Sequence, residues 1–212
     1  MAENPALLSW TETAKYWIRY SDTLRAMFAP LTDALIEQAG VKNGQNVLDV
    51  AGGSGEPGLT IAEKVGPDGS VTCTDGVAEM VEAARHEATR RGLVNVHFRK
   101  CTADALPFAD NSFDATVNRL GLMFVPDPLA AVREMLRVTK PGGTVALAVW
   151  GKSEVNPFCY VVTNVMAQHV NSPPADPDAP NAFRFAEPGK LARVMTEAGA
   201  SNVEERVLTL HL

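Results

Sequence analysis

The chain has 212 residues, of which 46% are hydrophobic and 21% charged, a balance typical of a globular domain rather than a disordered or membrane chain. Its formal net charge of −6 argues against nucleic acid as the main partner, because phosphate binding depends on clustered Lys and Arg. No apolar run approaches the roughly 20 residues that span a bilayer, and residues 1–5 lack the features of a signal peptide. We therefore expect a cytoplasmic protein without a membrane span or a nucleic-acid partner.

The N-terminal segment has a helical pattern from Trp10 to about Gly40, which we expect Pro30 to interrupt. Four aromatic residues recur near helical spacing in its first half. They are either a lid over a ligand or ordinary core residues of a helix. On this basis we treat residues 1–40 as a helical lid segment and residues 41–212 as the main domain. The four aromatic residues are Trp10, Tyr16, Trp17 and Tyr20.

From residue 47 onwards, short apolar runs alternate with amphipathic segments. Strands that are apolar throughout and alternate with helices belong in a parallel sheet that is covered on both faces. The sequence therefore predicts an α/β fold, a Rossmann-like, doubly wound and mostly parallel sheet with helices on both faces. The predicted strands are 47–50, 71–74, 96–98, 113–117 and 144–149, and the predicted helices are 59–64, 80–91, 188–198 and one that Asp127 and Pro128 open.

Cysteines and prolines suggest two further features. Cys73, Cys101 and Cys159 are isolated and have no CxxC spacing, so the sequence predicts neither a disulfide framework nor a metal site. Four prolines within residues 172–181 predict a surface loop that is inserted into the main domain. Residues 203–212 are predicted to form a final strand.

A glycine-rich loop, residues 49–58 (DVAGGSGEPG), lies between the first strand and the helix that follows it. Glycines let the backbone turn sharply and approach a ligand closely. Asp75 ends the next strand, where an acid that accepts hydrogen bonds from ribose hydroxyls is expected in a nucleotide-binding fold. A simple turn made by Asp75 and Gly76 is the alternative.

Ribose recognition does not distinguish NAD from S-adenosylmethionine. Asp49, at the end of the first strand, would repel a pyrophosphate but would orient an amino-acid moiety through its ammonium group. Glu56 adds negative charge at the same place, so a cationic sulfonium cofactor is the better electrostatic match. An NAD-dependent oxidoreductase would also need a proton-relay pair such as Tyr-x-x-x-Lys, and Tyr160 is followed by Asn164.

Five segments resemble the class I S-adenosylmethionine-dependent methyltransferases, in the branch related to the ubiquinone and menaquinone C-methyltransferases. The resemblance implies transfer of a methyl group from S-adenosylmethionine to a small-molecule acceptor, with S-adenosylhomocysteine as product. A cofactor-binding protein with lost or regulatory catalysis is the alternative, and an NAD-dependent oxidoreductase is a remote one. The segments are 47–55 (VLDVAGGSG), 74–75 (TD), 103–108 (ADALPF), 111–114 (NSFD) and 138–143 (VTKPGG).

The resemblance also implies a set of cofactor-binding residues. The methionine end would contact Asp49, Gly53 and Gly55, and the transferring methyl and methionine amino group would lie between Asn118 and Arg119. The ribose would bind Asp75 beside Gly76, and the adenine would contact Met80 and the backbone of Ala103. Ala51 and Thr102 complete the set.

Two positions depart from the pattern of the family. Ala51 stands where the family usually has a glycine, which is tolerable if Ala51 keeps a negative φ. Thr102 stands where relatives commonly have an acid that accepts from the adenine amino group. Recognition of adenine is then weaker or is partly taken over by Asp104, which is equally compatible with a solvated loop.

No catalytic residue can be assigned, because a base is needed only if the acceptor loses a proton. We interpret His86 and His97 as structural rather than catalytic residues, and we assign no role to His169 or His211. Aromatic residues near the proline-rich loop are candidates for an acceptor pocket. These are Phe158, Tyr160, Phe183 and Phe185, with Arg184 among them.

The C-terminal end is short for the family that the chain resembles. That family ends in a two-stranded hairpin, and only residues 203–212 are available for it. We therefore expect an incomplete C-terminal hairpin, in a truncated chain, with the sheet edge completed by a partner chain, or with the edge left short. An unpaired strand at the edge of a sheet tends to pair with another chain, so a homodimer that covers this edge is one interpretation.

Overall fold

The computed structural model describes residues 5–157, 161, 165 and 176–210. Several residues singled out from the sequence lie outside these ranges, together with residues 172–175 of the predicted proline-rich loop. They are Phe158, Cys159, Tyr160, His169 and His211.

Five parallel strands form one sheet in the order β3-β2-β1-β4-β5. The chain builds outwards from β1 through β2 to β3 and then returns to the other side of β1, so strand order reverses between β1 and β4. This confirms the predicted doubly wound α/β fold, in which ligands bind at the carboxyl ends of the strands beside the reversal. The strands are β1 (Asn46–Val50), β2 (Ser70–Asp75), β3 (Val96–Lys100), β4 (Phe113–Arg119) and β5 (Thr139–Ala148).

Helices cover both faces of the sheet, because alternate residues of each buried strand point to opposite sides. Val47 of β1 packs in one cluster and its neighbour Leu48 packs in the other. The first cluster includes residues of α2 and α3, and the second includes residues of α5 and α6. The α-helices with both ends in the described residues are α1 (Pro5–Arg19), α2 (Ser21–Gln38), α3 (Gly58–Val65), α4 (Ala78–Arg90), α5 (Pro128–Val138) and α6 (Lys190–Ala198).

The N-terminal helical segment breaks at a different place from the one predicted. Pro30 lies inside α2 without ending it, and the break falls at Tyr20, between α1 and α2. A proline removes one backbone donor from a helix. Here Phe28 and Leu35 are buried on either side of Pro30, so packing of α2 on the sheet keeps the helix continuous.

The ends of the later helices follow the predicted signals. The Asp127 carboxylate accepts a hydrogen bond from the Ala130 N–H at 2.9 Å, so Asp127 caps α5 and Pro128 begins it. Gly199 adopts φ +105° at the end of α6, a conformation that favours glycine. Both local signals were correct because they depend on neighbouring residues only.

The predicted final strand is not formed within the described residues. Residues 203–210 pair with no strand there. Instead, the Glu205 carboxylate accepts hydrogen bonds from the Gly189 and Ala192 N–H groups at 2.7 and 3.2 Å. These are free donors at the start of α6, and satisfying them holds the segment against that helix rather than against the sheet edge.

The fifth strand also begins earlier than predicted, at Thr139 rather than at residue 144. A register shift lies between the pairs Phe113–Thr139 and Ala115–Thr144, so residues 140–143 form an irregularity inside the strand.

No helix in the described ranges combines the length and the apolar character needed to cross a bilayer.

Candidate functional site

A cleft opens at the carboxyl ends of β1, β2 and β4, where strand order reverses, and α1 and α2 lie over it. Eight of the eleven residues proposed to bind a cofactor line it: Ala51, Gly53, Asp75, Gly76, Met80, Thr102, Ala103 and Arg119. Asp104 lines it as well. The other three, Asp49, Gly55 and Asn118, are buried behind the lining.

The glycine loop is tied to the end of β2 by two hydrogen bonds. The Gly52 N–H donates to the Thr74 carbonyl at 2.9 Å, and the Gly53 N–H donates to Asp75 Oδ2 at 3.0 Å. Ala51 turns the chain out of β1 with φ +53°, so the expectation that it keeps a negative φ is wrong. A non-glycine residue in this region costs about 1–2 kcal/mol, which the contacts of the loop must offset.

Asp49 holds the loop from beneath and is fully buried. Its Oδ2 accepts a hydrogen bond from the Gly58 N–H at 2.9 Å, and its Oδ1 has no hydrogen-bond partner in the described part of the chain. Burial raises the pKa of Asp49 to about 7, although the Gly58 N–H and the nearby Arg119 oppose the shift. Asp49 is therefore only partly ionised near neutral pH, and the argument that its charge repels a pyrophosphate is weaker than expected.

The burial of Asp49 predicts that the stability of the folded protein depends on pH. The pKa of Asp49 is raised in the folded state, so the folded state binds the proton more tightly and stability falls as pH rises from about 4 towards 7. Asp49→Asn cannot ionise and keeps an oxygen for the Gly58 N–H. Urea unfolding measures how far the unfolding free energy falls between pH 4.5 and pH 8. We expect this fall to be about 2–4 kcal/mol larger for wild type than for Asp49→Asn. Parallel pH profiles for the two proteins would contradict this role of Asp49.

Glu56, the second acid of the loop, is neutralised by a cation. Its Oε1 lies 2.7 Å from Arg91 Nη2, and Arg91 Nε also donates to Glu87 at 2.7 Å. Both side chains of the Glu56–Arg91 pair are about nine-tenths buried, with side-chain exposures of 10% and 11%. The expected negative field of Glu56 is thus largely cancelled, and the charge of the loop alone does not select a sulfonium cofactor over a pyrophosphate.

Asp75 makes a turn and also lines the cleft. Its Oδ1 accepts from the Val77 N–H at 2.9 Å while its Oδ2 accepts from Gly53. Burial raises the pKa of Asp75, and the backbone hydrogen bonds oppose that shift. Each carboxylate oxygen can accept more than one hydrogen bond, so the turn leaves acceptor capacity that faces the cleft.

The two polar residues at the end of β4 point in different directions. Asn118 is fully buried, donates to the Val50 carbonyl at 2.7 Å and accepts from the Leu122 N–H at 2.9 Å. It therefore fixes the turn after β4 to the end of β1. Arg119 faces the cleft, where its Nη1 donates to Thr32 Oγ1 of α2 at 2.7 Å.

The four aromatic residues of the N-terminal segment divide between the cleft and solvent. Trp10 and Trp17 line the cleft, with ring centroids 5.6 Å apart, whereas Tyr16 and Tyr20 are 55% and 51% exposed. Trp10 also meets Phe124 edge to face at 4.9 Å. Of the four aromatic residues, only the two tryptophans therefore lie where a lid residue would have to lie.

Sequence reasoning missed two aromatic residues and misplaced three other residues. Phe28 of α2 and Phe124 line the cleft. Phe124 follows β4, and its position just beyond a strand end was the signal available. Phe183, Arg184 and Phe185 are not part of the lining; Phe185 is buried in the core on one face of the sheet. His86 and His97 are exposed and also lie outside it.

Known proteins resemble this chain in sequence. A protein from Mycobacterium tuberculosis (strain H37Rv) called an uncharacterized protein is 39% identical over 131 residues, which cover 62% of this chain and 46% of that protein. The ubiquinone/menaquinone biosynthesis C-methyltransferase UbiE of Cupriavidus taiwanensis is 35% identical over 187 residues, covering 82% of this chain and 74% of that enzyme. The chain spans under half the length of several other relatives that it matches, for example 43% of the enzyme of the same name from Stenotrophomonas maltophilia.

Solved structures share the fold. A putative S-adenosyl-L-methionine-dependent methyltransferase from Methanococcus maripaludis superposes with a TM-score of 0.66 over 96% of this chain and 90% of its own, at 23% identity. At that identity the likeness concerns the fold alone. The [4+2]-cyclase SpnF is 35% identical, with a TM-score of 0.52 over 56% of this chain and 43% of its own.

The family model described as the ubiE/COQ5 methyltransferase family matches residues 30–170. That range is about two thirds of the chain, and it contains the glycine loop, the end of β2 and the end of β4. Because the match spans more than half of the sequence, the chain belongs to the ubiE/COQ5 methyltransferase family.

Proposed function

We propose that the chain binds S-adenosylmethionine in the cleft and transfers its methyl group to a small-molecule acceptor. The observation that carries this proposal is the family match over residues 30–170, since that range supplies most of the cleft lining. The cofactor supplies the reactive methyl group, and the residues of the chain supply binding and alignment.

The lining fits such a cofactor. Gly53 has φ +57° and open space where a Cβ would lie, so the loop can approach a ligand closely. Asp75 offers carboxylate oxygens for ribose hydroxyls, and buried Met80 offers an apolar surface for an adenine ring. Thr102 presents a hydroxyl, which can accept from an amino group but without the charge of the acid found in relatives.

Several aromatic and apolar side chains suit an acceptor with an apolar body. Trp10, Trp17, Phe28 and Phe124 line the cleft on the side of α1 and α2. Aromatic walls bury ligand surface and exclude water, which favours an aligned displacement at carbon. We propose a small molecule with an apolar or aromatic part as the acceptor, held against this wall.

The N-terminal helices are proposed to serve as a lid. Trp10 and Trp17 reach the cleft from α1, and Asp22 of α2 lies 3.1 Å from Arg90 Nη2 of α4. That ion pair is exposed, with side-chain exposures of 69% and 52%, so it contributes little to holding the lid closed.

A second candidate is a protein that binds the cofactor without transferring its methyl group. The observation that favours it is the 35% identity with a protein that is named a [4+2]-cyclase. The two candidates share the cofactor site and differ in turnover. Release of S-adenosylhomocysteine during incubation with S-adenosylmethionine and candidate acceptors separates them.

The first test of the cofactor is thermal stabilisation. A ligand that binds the native state raises the melting temperature by mass action, so S-adenosylhomocysteine at about 100 times its Kd should add about 2.7 kcal/mol of stability. NAD at the same concentration should leave the melting temperature unchanged. A shift with NAD and none with S-adenosylhomocysteine would overturn the assignment of the cofactor.

A further inference from the structure

Arg119 is a cation inside the cleft with only one hydrogen bond to the described part of the chain. Its Nη1 donates to Thr32 Oγ1 at 2.7 Å, and its guanidinium carbon lies 5.6 Å from the centre of the Phe28 ring. Nε and Nη2 have no acceptor among the described residues, so most of its N–H groups are left for a ligand.

The charge of Arg119 is not matched by an ion pair. No Asp or Glu oxygen lies within 4.0 Å of its guanidinium in residues 5–157 and 176–210. The other two arginines that line the cleft are paired, Arg25 with Asp22 at 3.4 Å and Arg91 with Glu56 at 2.7 Å. A half-buried guanidinium without a counter-ion is costly, because burial removes water from the charge.

The nearest acids of the loop do not remove this imbalance. Glu56 is already bound by Arg91, and Asp49 is only partly ionised near neutral pH, since burial raises its pKa to about 7. Burial lowers the pKa of Arg119, although the negative charges of Glu56 and Asp49 oppose the shift from a distance. The direction of this shift agrees with the absence of an ion pair within the described residues. The cleft thus has a place for one more negative charge beside Arg119.

We propose that Arg119 binds a carboxylate of the molecule held in the cleft. This inference rests on the proposed function, and it replaces the expectation that Arg119 flanks the methionine amino group, which a guanidinium would repel. The planar fork of a guanidinium matches a carboxylate with two parallel hydrogen bonds. Two sources fit this chemistry: the carboxylate of the cofactor, and an acid group on the acceptor.

The test is calorimetric titration of wild type, Arg119→Gln and Arg119→Lys. Two nucleosides are compared: S-adenosylhomocysteine, and 5′-methylthioadenosine, which has the adenosine and the sulfur but no amino-acid part. Benzoate and benzyl alcohol are then titrated with and without S-adenosylhomocysteine, as aromatic probes with and without a carboxylate. Arg25→Gln is the matched control, because Arg25 lines the same cleft but is paired with Asp22.

Each source of the carboxylate gives its own result. If Arg119 binds the cofactor, Arg119→Gln weakens S-adenosylhomocysteine by about 10- to 100-fold and leaves 5′-methylthioadenosine within about twofold. If it binds the acceptor, both nucleosides are unchanged and benzoate binding is lost while benzyl alcohol binding is kept. Arg119→Lys, which keeps the charge but not the fork, should show a smaller loss in the same direction, and it carries the test if Arg119→Gln does not fold.

The inference is overturned if the folded variants bind S-adenosylhomocysteine and benzoate as wild type does. It is also overturned if Arg119→Gln weakens 5′-methylthioadenosine as much as S-adenosylhomocysteine, since that loss cannot come from a carboxylate. A wild type that binds neither nucleoside contradicts the proposed cofactor instead. In that case, benzoate titration of the ligand-free protein still decides whether Arg119 binds a carboxylate.

Discussion

Asp75→Ala should weaken the binding of S-adenosylhomocysteine by tens- to hundreds-fold, the largest effect that we expect from a single side chain of the cleft. A carboxylate that accepts from two ribose hydroxyls makes charge-assisted hydrogen bonds, each worth about 1.5–3 kcal/mol. The same carboxylate orders the glycine loop through the Gly53 N–H and the following turn through the Val77 N–H. Its removal therefore leaves these two backbone N–H groups without their acceptor, and it also removes the hydrogen bonds to the ribose.

The structural role of Asp75 changes what must be measured beside affinity. We expect Asp75→Ala to remain folded but to lose about 1–3 kcal/mol of unfolding free energy, because two backbone groups lose their acceptor. Asp75→Asn keeps one acceptor oxygen and should lie between wild type and Asp75→Ala in both measurements. Calorimetric titration gives the affinity, and urea unfolding gives the stability.

Asp68→Ala is the control for Asp75. Asp68 is an exposed acid before β2 and lies outside the cleft lining, so its removal should change the affinity for S-adenosylhomocysteine by less than about threefold, or 0.7 kcal/mol. Folded Asp75→Ala with an affinity within that same threefold limit would show that Asp75 is a turn residue alone. The ribose would then have to be held by other groups of the lining.

Gly58→Ala should destabilise the protein by about 2–4 kcal/mol, because the site beside Gly58 is already filled. A Cβ added there would overlap Cys73 Sγ and would lie 2.7 Å from Asp49 Oδ2 and 3.3 Å from Asp49 Cβ. Cys73 and Asp49 are both buried in the sheet, so neither can move aside cheaply. Displacement of Asp49 would also break its hydrogen bond with the Gly58 N–H.

Three further variants show whether this clash is the cause. Gly151→Ala is the control, since Gly151 is exposed and an added Cβ would meet nothing within 4 Å; we expect a change within about 0.5 kcal/mol. Cys73→Ala removes the sulfur from the clash, so the double variant should be more stable than the sum of the single effects by about 0.5–1.5 kcal/mol. Urea unfolding of the wild type and the four variants measures all of these values. A loss below about 1 kcal/mol for Gly58→Ala would mean that the loop shifts freely.

Local sequence patterns determined the fold class and the position of the cleft. Strands such as β1 are buried and mostly apolar, and helices such as α5 have one apolar stripe and a capping Asp127, so their type is encoded within a few residues. Parallel strands joined by helices leave few topologies. The glycine loop after β1 and Asp75 at the end of β2 therefore had to meet at one edge of the sheet, and their Gly53–Asp75 hydrogen bond shows that they do.

Only the tertiary structure decided which polar side chains face the cleft. Asn118 and Arg119 are neighbours in sequence, yet Asn118 turns inwards to Val50, 68 residues away, while Arg119 reaches Thr32, 87 residues away. Asp49 lies under the loop because Gly58 packs directly on its carboxylate, and Ala51 adopts a positive φ because the loop is tied to β2. Asp49 and Gly58 are only nine residues apart. The other contacts join distant parts of the chain, and a local pattern contains no record of such contacts.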